Sequence, residues 1–224
     1  MNRGGYFITG TDTGVGKTQI AAALITLLAQ RHKRVVGMKP VASGCSENGG
    51  ALRNADAQLL IEASSVDVDY ADVNPYAFAP AIAPHVAAED AGTKIELESV
   101  LDHFERLQQQ ADYVVVEGVG GWMVPLGHII TTEHMAKALD LPVVLVIGMR
   151  LGCLNHGLLT ARAIEAAGLP LAGWVANTID PEMERVNDNL RTLKNRLNAP
   201  FLGLIPWIES AAPAELSRFL SLPE

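Results

Sequence analysis

The run from Gly10 to Thr18 holds the residues best suited to chemistry. It reads Gly-Thr-Asp-Thr-Gly-Val-Gly-Lys-Thr and lies between the apolar run Tyr6 to Thr9 and the Ala- and Leu-rich run Gln19 to Ala29. A glycine-bearing turn that joins a strand to a helix and ends in Gly-Lys-Thr is typical of a phosphate-binding loop. Its backbone N–H groups surround a phosphate, and the helix dipole adds positive charge. We expect Lys17 to reach the β- and γ-phosphates and the Thr18 hydroxyl to ligate Mg²⁺.

One position of this loop departs from the usual phosphate-loop pattern. The pattern has its first glycine five residues before the Gly-Lys pair, but Thr11 stands there and Gly10 comes one residue earlier. An ordinary glycine-rich turn would account for the glycines, but not for Lys17 and Thr18 at the start of a helix. The sequence therefore predicts nucleotide binding.

Lys39 ends the run Arg34 to Lys39, which predicts a second strand. Pro40 disfavours helical angles for the preceding residue and keeps Lys39 extended. In an open α/β sheet, ligands bind at the carboxyl ends of the strands, so Lys39 is a candidate anion-binding group. The alternative is a solvated surface lysine; the Ser43 and Gly44 that follow favour a binding loop.

Glu117 follows the valine run 114–116, which lacks polar alternation and predicts a strand buried on both faces. A carboxylate that such a strand brings to the edge of the sheet is suited to be a second ligand for Mg²⁺ or for water, although the common version is Asp. Gly118, Gly120 and Gly121 would let the backbone approach a phosphate closely.

The elements that must position these groups alternate along the chain. Strands are predicted at 6–9, 34–39, 114–116, 141–148, 171–177 and 200–205, and helices at 19–29, 53–62, 96–109, 131–139, 152–167, 183–197 and 213–220. Such alternation predicts an α/β fold: a doubly wound, mostly parallel sheet with helices on both faces. We expect one domain over residues 1–224, with a mobile loop at 45–51 and an irregular segment at 72–92 that includes a short helix near 84–90.

Three polar residues have roles that their local sequence leaves open. Asp56 lies in the first turns of the predicted helix 53–62, where an acid is favoured by the helix dipole alone. Asn155, at the start of helix 152–167, is equally suited to be an N-cap or a ligand. His85 fits a structural role better than a catalytic one, and the roles of the cysteines stay open.

Composition excludes several classes of protein. The chain has 224 residues, 49% of them hydrophobic, and a net charge of −8, which argues against nucleic acid as the main partner. No apolar run reaches the roughly 18 to 20 residues of a membrane span. Cys45 and Cys153 lack zinc-ligand spacing. With no signal peptide recognisable at the N-terminus, we expect a cytoplasmic protein.

Taken together, these motifs resemble the dethiobiotin synthetase family over nearly the whole chain. The matching segments are 10–18 with Thr11 in place of glycine, Lys-Pro-Val-Ala-Ser-Gly at 39–44, Arg-Asn-x-Asp at 53–56, Asn-Pro-Tyr at 74–76, Val-Glu-Gly-x-Gly-Gly-Trp at 116–122, Leu-Gly-Cys-x-Asn-His at 151–156, Gly-Trp-Val-Ala-Asn at 173–177 and Ile-Pro-Trp at 205–207. The phosphate loop alone is unspecific, whereas the ordered set is highly specific.

The resemblance implies a P-loop enzyme that uses ATP and Mg²⁺ to close a cyclic urea on 7,8-diaminopelargonic acid. CO₂ or bicarbonate supplies the carbon, and the path runs through a carbamate and a carbamic-phosphoric anhydride. The family forms homodimers with the substrate site at the interface. The residues that the resemblance assigns are Lys39 and Lys17 for catalysis; Thr13, Ser43, Gly152, Cys153 and Asn155 for substrate; Thr18, Asp56 and Glu117 for metal; and Gly14, Val15, Gly16, Lys17, Thr18, Gln19, Asp56, Glu117, Gly118, Val119, Gly120, Asn177, Thr178, Pro206, Trp207 and Ile208 for the nucleotide.

These assignments agree with the electrostatics of that reaction. A carbamate and a γ-phosphate are both anions, so Lys17, Lys39 and Mg²⁺ would offset their repulsion. The closing step needs no strong protein base, because intramolecular attack supplies effective molarities on the order of 10⁵ M or more. Asn177 would bond the adenine edge through its amide, as Asn does elsewhere, with residues 206–208 flanking the base.

Three alternatives share the P-loop. An amidoligase of the same superfamily carries an added glutaminase domain, for which 224 residues leave no room. A partitioning-type ATPase switch carries a second lysine early in the loop, where this chain has Asp12. A paralogue that acts on a related diamine would look the same in sequence.

Overall fold

In the computed structural model, which describes residues 4–31 and 34–223, six strands form a parallel sheet. In chain order the strands are β1 (Gly4–Gly10), β2 (Val35–Met38), β3 (Val41–Ser43), β4 (Ser46–Asn48), β5 (Ala51–Arg53), β6 (Tyr76–Phe78), β7 (Tyr113–Glu117), β8 (Val143–Met149), β9 (Leu171–Thr178) and β10 (Phe201–Ile205). The large sheet has the order β10-β9-β8-β1-β7-β2, and β3 pairs with β6 and β4 with β5 in two small sheets.

Helices connect the strands and cover the sheet on both faces. They are α1 (Lys17–Ala29), α2 (Ala55–Ala63), α3 (Tyr70–Val73), α4 (Pro84–Asp90), α5 (Leu97–Gln110), α6 (Thr132–Leu139), α7 (Cys153–Ala166), α8 (Val186–Arg196) and α9 (Pro213–Leu216), with a 3-10 turn at Ser217–Phe219. None of these helices combines the length and the apolar character needed to cross a membrane. The predicted doubly wound architecture is confirmed.

Burial on both faces explains the composition of the central strands. All seven residues of β8 are buried, and they are almost entirely apolar. On one face α1 packs through side chains that are completely buried from Ile20 to Ile25, which explains why this helix is rich in Ala and Leu. The opposite core contains Phe7 and Trp174.

The middle of the sheet brings the sequence motifs together. Strand β1 lies between β7 and β8, so the loop that follows Gly10 emerges beside the ends of both neighbours. In this register Ile8 is opposite Glu117 and Gly10 is opposite Val146. Two motifs that are about a hundred residues apart in sequence therefore share one edge of the sheet.

The segment 45–51 differs from its prediction as a loop. Strands β4 and β5 pair antiparallel, with Ser46 opposite Arg53, around Gly49 and Gly50. Both glycines have positive φ, 63° and 80°, which suits a tight hairpin turn. Helix α2 consequently begins at Ala55, two residues later than predicted.

Three other boundaries differ from prediction. The segment 72–92, predicted irregular, contains the end of α3 and all of β6, although the expected short helix at 84–90 is confirmed as α4. Helix α8 begins at Val186 rather than Met183. The last helix is a single α-helical turn followed by a 3-10 turn rather than continuous helix over 213–220.

Candidate functional site

The phosphate loop is a tight turn between β1 and α1. Gly14 and Gly16 have φ of 75° and 89°, a region that favours glycine, and Gly16 is the residue that precedes the helix. Asn177 donates from Nδ2 to the Val15 carbonyl over 2.8 Å, and a Cβ on Gly16 would overlap with this amide. Asn177 therefore stabilises the backbone of the loop at Val15 and Gly16. The Lys17 ammonium donates to the Asp12 carbonyl over 2.9 Å.

Thr11 explains why the first glycine of the usual pattern is absent. Its backbone N–H donates to the Val146 carbonyl over 3.0 Å, and its Oγ1 accepts from the Gly148 N–H over 3.4 Å. The hydroxyl thus ties the first half of the loop to the end of β8, which a glycine could not do.

Asp12 adds a second tie that the sequence does not reveal. Its Oδ1 accepts from the Thr13 N–H over 2.7 Å, and its Oδ2 accepts from Arg150 Nη2 over 2.5 Å. The Thr13 hydrogen bond lowers the pKa of Asp12, burial opposes that change, and Arg150 lowers the pKa further. Arg150 follows β8, so its guanidinium links two loops that are about 140 residues apart in sequence.

Lys39 is buried, with only 4% of its surface exposed, so the alternative of a solvated surface lysine is wrong. Its ammonium lies 2.5 Å from Glu117 Oε1 and 3.1 Å from Asp56 Oδ2. Its backbone is held as well, because the N–H donates to Val73 and the carbonyl accepts from Asn74 Nδ2 over 2.6 Å. Lys39 therefore presents a buried positive charge at the edge of the sheet, on a backbone that is held in place.

Glu117 is hydrogen-bonded to two of the predicted site residues. Its Oε1 accepts from Thr18 Oγ1 over 2.9 Å as well as from Lys39. Its Oε2 is buried and has no hydrogen-bond partner among the described residues. The unpaired Glu117 oxygen, the Thr18 hydroxyl and a second carboxylate, that of Asp56, are oxygen donors of the kind that Mg²⁺ prefers.

No group of three or more His, Cys, Asp or Glu side chains that could hold a metal occurs within residues 4–31 and 34–223. Thr18, Asp56 and Glu117 supply two carboxylates and a hydroxyl instead. This set suits Mg²⁺, which usually binds through one or two carboxylates together with substrate phosphates and water. The donor set therefore fits a metal that arrives with a nucleotide.

The two lysines differ in how their surroundings change their pKa. Burial lowers the pKa of Lys17 to about 8; the charge of Lys39 acts in the same direction, and Glu117, Asp56 and Asp12 act against it. Burial also disfavours the charged form of Lys39, but the adjacent carboxylates of Glu117 and Asp56 outweigh that effect and raise its pKa. Lys39 is therefore the more firmly charged of the two.

A cavity of about 820 Å³ opens in front of these groups. The predicted site residues that line it are Thr13, Gly14, Gly16, Lys17, Thr18, Gln19, Lys39, Ser43, Asp56, Glu117, Val119 and Gly120. The Ser43 hydroxyl is buried and has no partner within the described chain, so it is available to a ligand. The structure thus brings the predicted phosphate, metal and catalytic residues to one cavity.

Sequence reasoning missed several residues that line the cavity. They are Ala42, Asn54, Ala55, Leu59, Ala81, Ile82, Ala83, Pro84 and Val124. Asn54 was the one that the sequence could have indicated, because it precedes a helix with Asp at its second position. Its Oδ1 accepts from the Ala57 N–H over 3.2 Å, so it is the N-cap that orients Asp56.

Other predicted nucleotide residues do not line the cavity. Val15 and Gly118 are buried in the loops, while Thr178 ends β9 and the segment 206–208 follows β10. These two strand ends are adjacent, since Asn177 is opposite both Gly148 and Ile205. They lie on the β9 side of the phosphate loop, away from the ion-paired group of Lys39, Asp56 and Glu117, which we call the Lys39 cluster.

The predicted substrate residues at 152–155 form a separate turn, after β8. Gly152, with φ of 95°, precedes α7, and Asn155 is the third residue of that helix and exposed, so the N-cap alternative for Asn155 is wrong. Cys153 is buried, and both cysteines are free thiols. His85 lies in α4, half-buried, with its Nδ1 unpartnered within the described part of the chain.

Fold and site together define a P-loop nucleotide-binding protein of the α/β class, and a family model described as an AAA domain matches residues 4–215. The chain is 50% identical to ATP-dependent dethiobiotin synthetase BioD of Nitrosospira multiformis over 218 residues, 97% of this chain and 95% of that protein. It is 49% identical to BioD of Xanthomonas euvesicatoria over the full length of both chains. The chain belongs to the dethiobiotin synthetase family.

Solved structures with the same fold include a MinD protein and a ParA family ATPase. The septum site-determining protein MinD of Pyrococcus horikoshii, complexed with Mg-ADP, has a TM-score of 0.60 at 15% identity and covers 98% of this chain and 87% of its own. A ParA family ATPase of Chlorobium tepidum has a TM-score of 0.58 at 16% identity, with coverage of 97% and 90%. At such identities the likeness is one of fold alone.

Proposed function

We propose that the chain catalyses the ATP-dependent closure of 7,8-diaminopelargonic acid with CO₂ to dethiobiotin, releasing ADP and phosphate, in biotin biosynthesis. Relatives at about 50% identity over the full length carry the name of this activity. The observation that carries the proposal is the meeting of Lys17 and Lys39 with the carboxylates of Asp56 and Glu117 in one cavity. Both lysines line this cavity, in which, under this proposal, two anions have to react.

The reaction we propose runs in three steps. One amine of the substrate attacks CO₂ and loses a proton, which gives a carbamate. A carbamate oxygen then attacks the γ-phosphorus of ATP and ADP leaves, giving a carbamic-phosphoric anhydride. The second amine attacks the carbonyl carbon, loses a proton and expels phosphate, which closes the cyclic urea.

Each lysine has a distinct part in this scheme. Lys17, at the start of α1, binds the β- and γ-phosphates together with the backbone N–H groups of residues 13–19. Lys39 lines the same cavity as Lys17, where its ammonium can offset the charge of the carbamate and of the phosphoryl group that is transferred. Thr13 and Ser43, which line the same cavity, hold the reacting end of the diamine.

We propose that Mg²⁺ is held by Thr18, Asp56 and Glu117. The buried, unpartnered Oε2 of Glu117 supports this assignment. When bound, Mg²⁺ neutralises phosphate charge. Thr18 and Glu117, already joined by a hydrogen bond of 2.9 Å, hold their oxygens in position for the metal.

The adenine, in this proposal, lies at the adjacent ends of β9 and β10. Asn177 and Thr178 offer polar groups there, and Pro206, Trp207 and Ile208 flank the base. One Nδ2 proton of Asn177 already bonds the Val15 carbonyl, so the rest of the amide is left for the base edge.

We further propose a cytoplasmic homodimer in which each chain, residues 1–224, is one domain. Gly152, Cys153 and Asn155 at the start of α7 would receive the substrate carboxylate in the partner's site, as a helix N-terminus suits an anion. The full exposure of Leu151, at 97%, supports an interface at this turn. The free cysteines agree with a reducing compartment.

Phosphate release tests the proposal. Purified protein with ATP and Mg²⁺ should release phosphate only when both 7,8-diaminopelargonic acid and bicarbonate are added, and mass spectrometry should find dethiobiotin in equal amount. A monoamine of the same length is the matched control, because it can form a carbamate but cannot close a ring. Phosphate release that ignores the diamine would instead favour an ATPase switch, and a better rate with another diamine would favour a paralogue.

A further inference from the structure

The ammonium of Lys39 occupies the position of a cation between two carboxylates. Its Nζ lies 2.5 Å from Glu117 Oε1 and 3.1 Å from Asp56 Oδ2. We infer that Lys39 is the resident cation of the nucleotide-free site and that Mg²⁺ binds by displacing this ammonium from the carboxylates. The inference rests on the proposed function, because Glu117 and Asp56 are the carboxylates proposed there for Mg²⁺.

Burial explains why the site needs a resident cation. Only 1% of the Glu117 side chain is exposed, and a buried carboxylate without a partner is strongly destabilising. Its Oε1 receives both the Lys39 ammonium and the Thr18 hydroxyl, the latter over 2.9 Å. That oxygen is saturated while Lys39 stays, whereas the buried Oε2 has no partner among the described residues.

The backbone around Lys39 restricts the exchange to its side chain. The Lys39 N–H donates to the Val73 carbonyl over 2.9 Å, and its own carbonyl accepts from Asn74 Nδ2 over 2.6 Å. Pro40 follows, with its fixed φ. The four-carbon stem of Lys39 is therefore the part that can move, and it already lines the cavity.

Displacement would place charge where the reaction needs it. An ammonium that leaves Glu117 and Asp56 has the cavity in front of it, and the γ-phosphate and the carbamate are the anions expected there. Metal binding and the engagement of Lys39 with the reacting groups are then one event. Without metal, Lys39 is held by carboxylates and is withheld from the substrate.

The test measures metal binding rather than turnover. Mn²⁺, as a spectroscopic substitute for Mg²⁺, is titrated by electron paramagnetic resonance into nucleotide-free wild-type protein and into Lys39→Met. Because the competing cation is gone, we expect Lys39→Met to bind Mn²⁺ about tenfold or more tightly. Lys39→Gln keeps a hydrogen-bond donor without charge; it serves if the Met variant is unstable, and it should also bind more tightly.

Lys17→Met is the matched control. Lys17 is a second buried lysine of the same cavity, but its ammonium donates to the Asp12 carbonyl instead of to a carboxylate. Its removal should tighten Mn²⁺ binding by no more than about threefold, through general electrostatics alone. Equal gains in the two variants, or no gain in either Lys39 variant, would overturn the inference.

A second measurement separates this inference from the proposed function. Wild-type protein is titrated with Mn²⁺ in the presence of ADP. If no Mn²⁺ binds there, the proposed metal site itself is wrong. If Mn²⁺ binds there and the Lys39 variants bind it no more tightly than wild type in the absence of nucleotide, only the displacement of Lys39 is refuted.

Discussion

Among the single residues of the site, Lys17 has a lowered pKa that solution experiments can measure directly. Burial lowers its pKa to about 8, so the free protein loses this charge as the pH rises above that value. The neighbouring ammonium of Lys39 keeps its charge, since Glu117 and Asp56 raise its pKa. The two lysines of one cavity should therefore be separable by pH.

We predict that ADP binding weakens as the pH rises from about 8 to 9.5. The protonated form of Lys17 binds phosphate and the neutral form does not, so binding above pH 8 must take up a proton. Calorimetry in EDTA, where the only cations near the phosphates are those of the protein, measures both affinity and proton uptake. In Lys17→Arg the guanidinium stays charged, and its affinity should stay level over the same range. A level profile in the wild type would contradict the prediction.

Glu117 and Asp56 are predicted to differ as metal ligands. Glu117→Gln removes a buried charge that also holds Lys39 and Thr18, so we expect the Mg²⁺ concentration for half-maximal turnover to rise about tenfold or more. Asp56→Asn, at a side chain that is 46% exposed, should raise it less. Steady-state kinetics at varied Mg²⁺ checks both. An unchanged metal requirement in both variants would remove them as ligands.

Residue-level chemistry was predictable where it lay within one motif. Lys17 and Thr18 are recognised from Gly-Lys-Thr at the start of a helix, and the structure places both in the cavity. Arg150 was not recognised, because its partner Asp12 lies on another loop and an arginine after a strand has no distinctive pattern. Contacts between distant segments depend on the order of the strands, which local spacing does not specify.

At the scale of elements, the phosphate loop is held in place by β8 as well as by its own helix. Thr11 bonds the end of β8 through its backbone and its hydroxyl, and Asp12 pairs with Arg150 just beyond that strand. The loop therefore has a preformed shape, which lowers the entropy cost of binding a phosphate.

We predict that Arg150→Met weakens ATP binding up to about fivefold, since half-exposed ion pairs contribute about 0.2 to 1 kcal/mol. Arg150→Lys should keep most of the affinity. Arg34→Met is the matched control. It breaks an ion pair of similar exposure, with 2.9 Å between Arg34 Nη2 and Asp112 Oδ1, beside the starts of β2 and β7 and so at the edge of the sheet opposite the phosphate loop. Fluorescence titration with a labelled ATP measures all three. Equal losses in the Arg150 and Arg34 variants would rule out a positioning role for Arg150.

Long elements were predictable and short ones were not. The sequence of β8 is a continuous apolar run that predicts a buried strand, and the sequence of α5 has the helical spacing of an amphipathic helix. The hairpin of β4 and β5 has three residues in each strand, mostly polar, so no alternation marks it. The positive φ of Gly49 and Gly50 defines the turn of this hairpin, whereas the composition of the segment predicts only a loop.

At the scale of the whole molecule, the proposed homodimer requires the turn 152–155 to reach the site of a partner chain. The cavity contains the phosphate loop and the Lys39 cluster, but the turn 152–155 does not line it. Leu151, at 97% exposure, and Ile129, at 84%, are large apolar side chains that the single chain exposes to water. A sequence of one chain predicts the fold of that chain, but a residue used by a partner has no internal contact that reveals it.

Two substitutions separate assembly from substrate binding. We predict that Leu151→Glu shifts the protein to monomers and raises the KM for the diamine, because charge in an apolar interface is costly. Asn155→Ala should leave the dimer intact and raise the same KM about tenfold, with ATP affinity unchanged, since it removes one hydrogen bond to a carboxylate.

Sedimentation and steady-state kinetics on the same samples distinguish the two effects. Phe219→Glu, which places the same acid at an apolar side chain that is 41% exposed, is the control and should remain dimeric with an unchanged KM. A Leu151→Glu protein that is monomeric but fully active would show that each chain has a complete site, and Asn155 would then have no part in binding the substrate. A dimer with unchanged KM in both variants would place the interface elsewhere and leave the turn at 152–155 as an ordinary helix start.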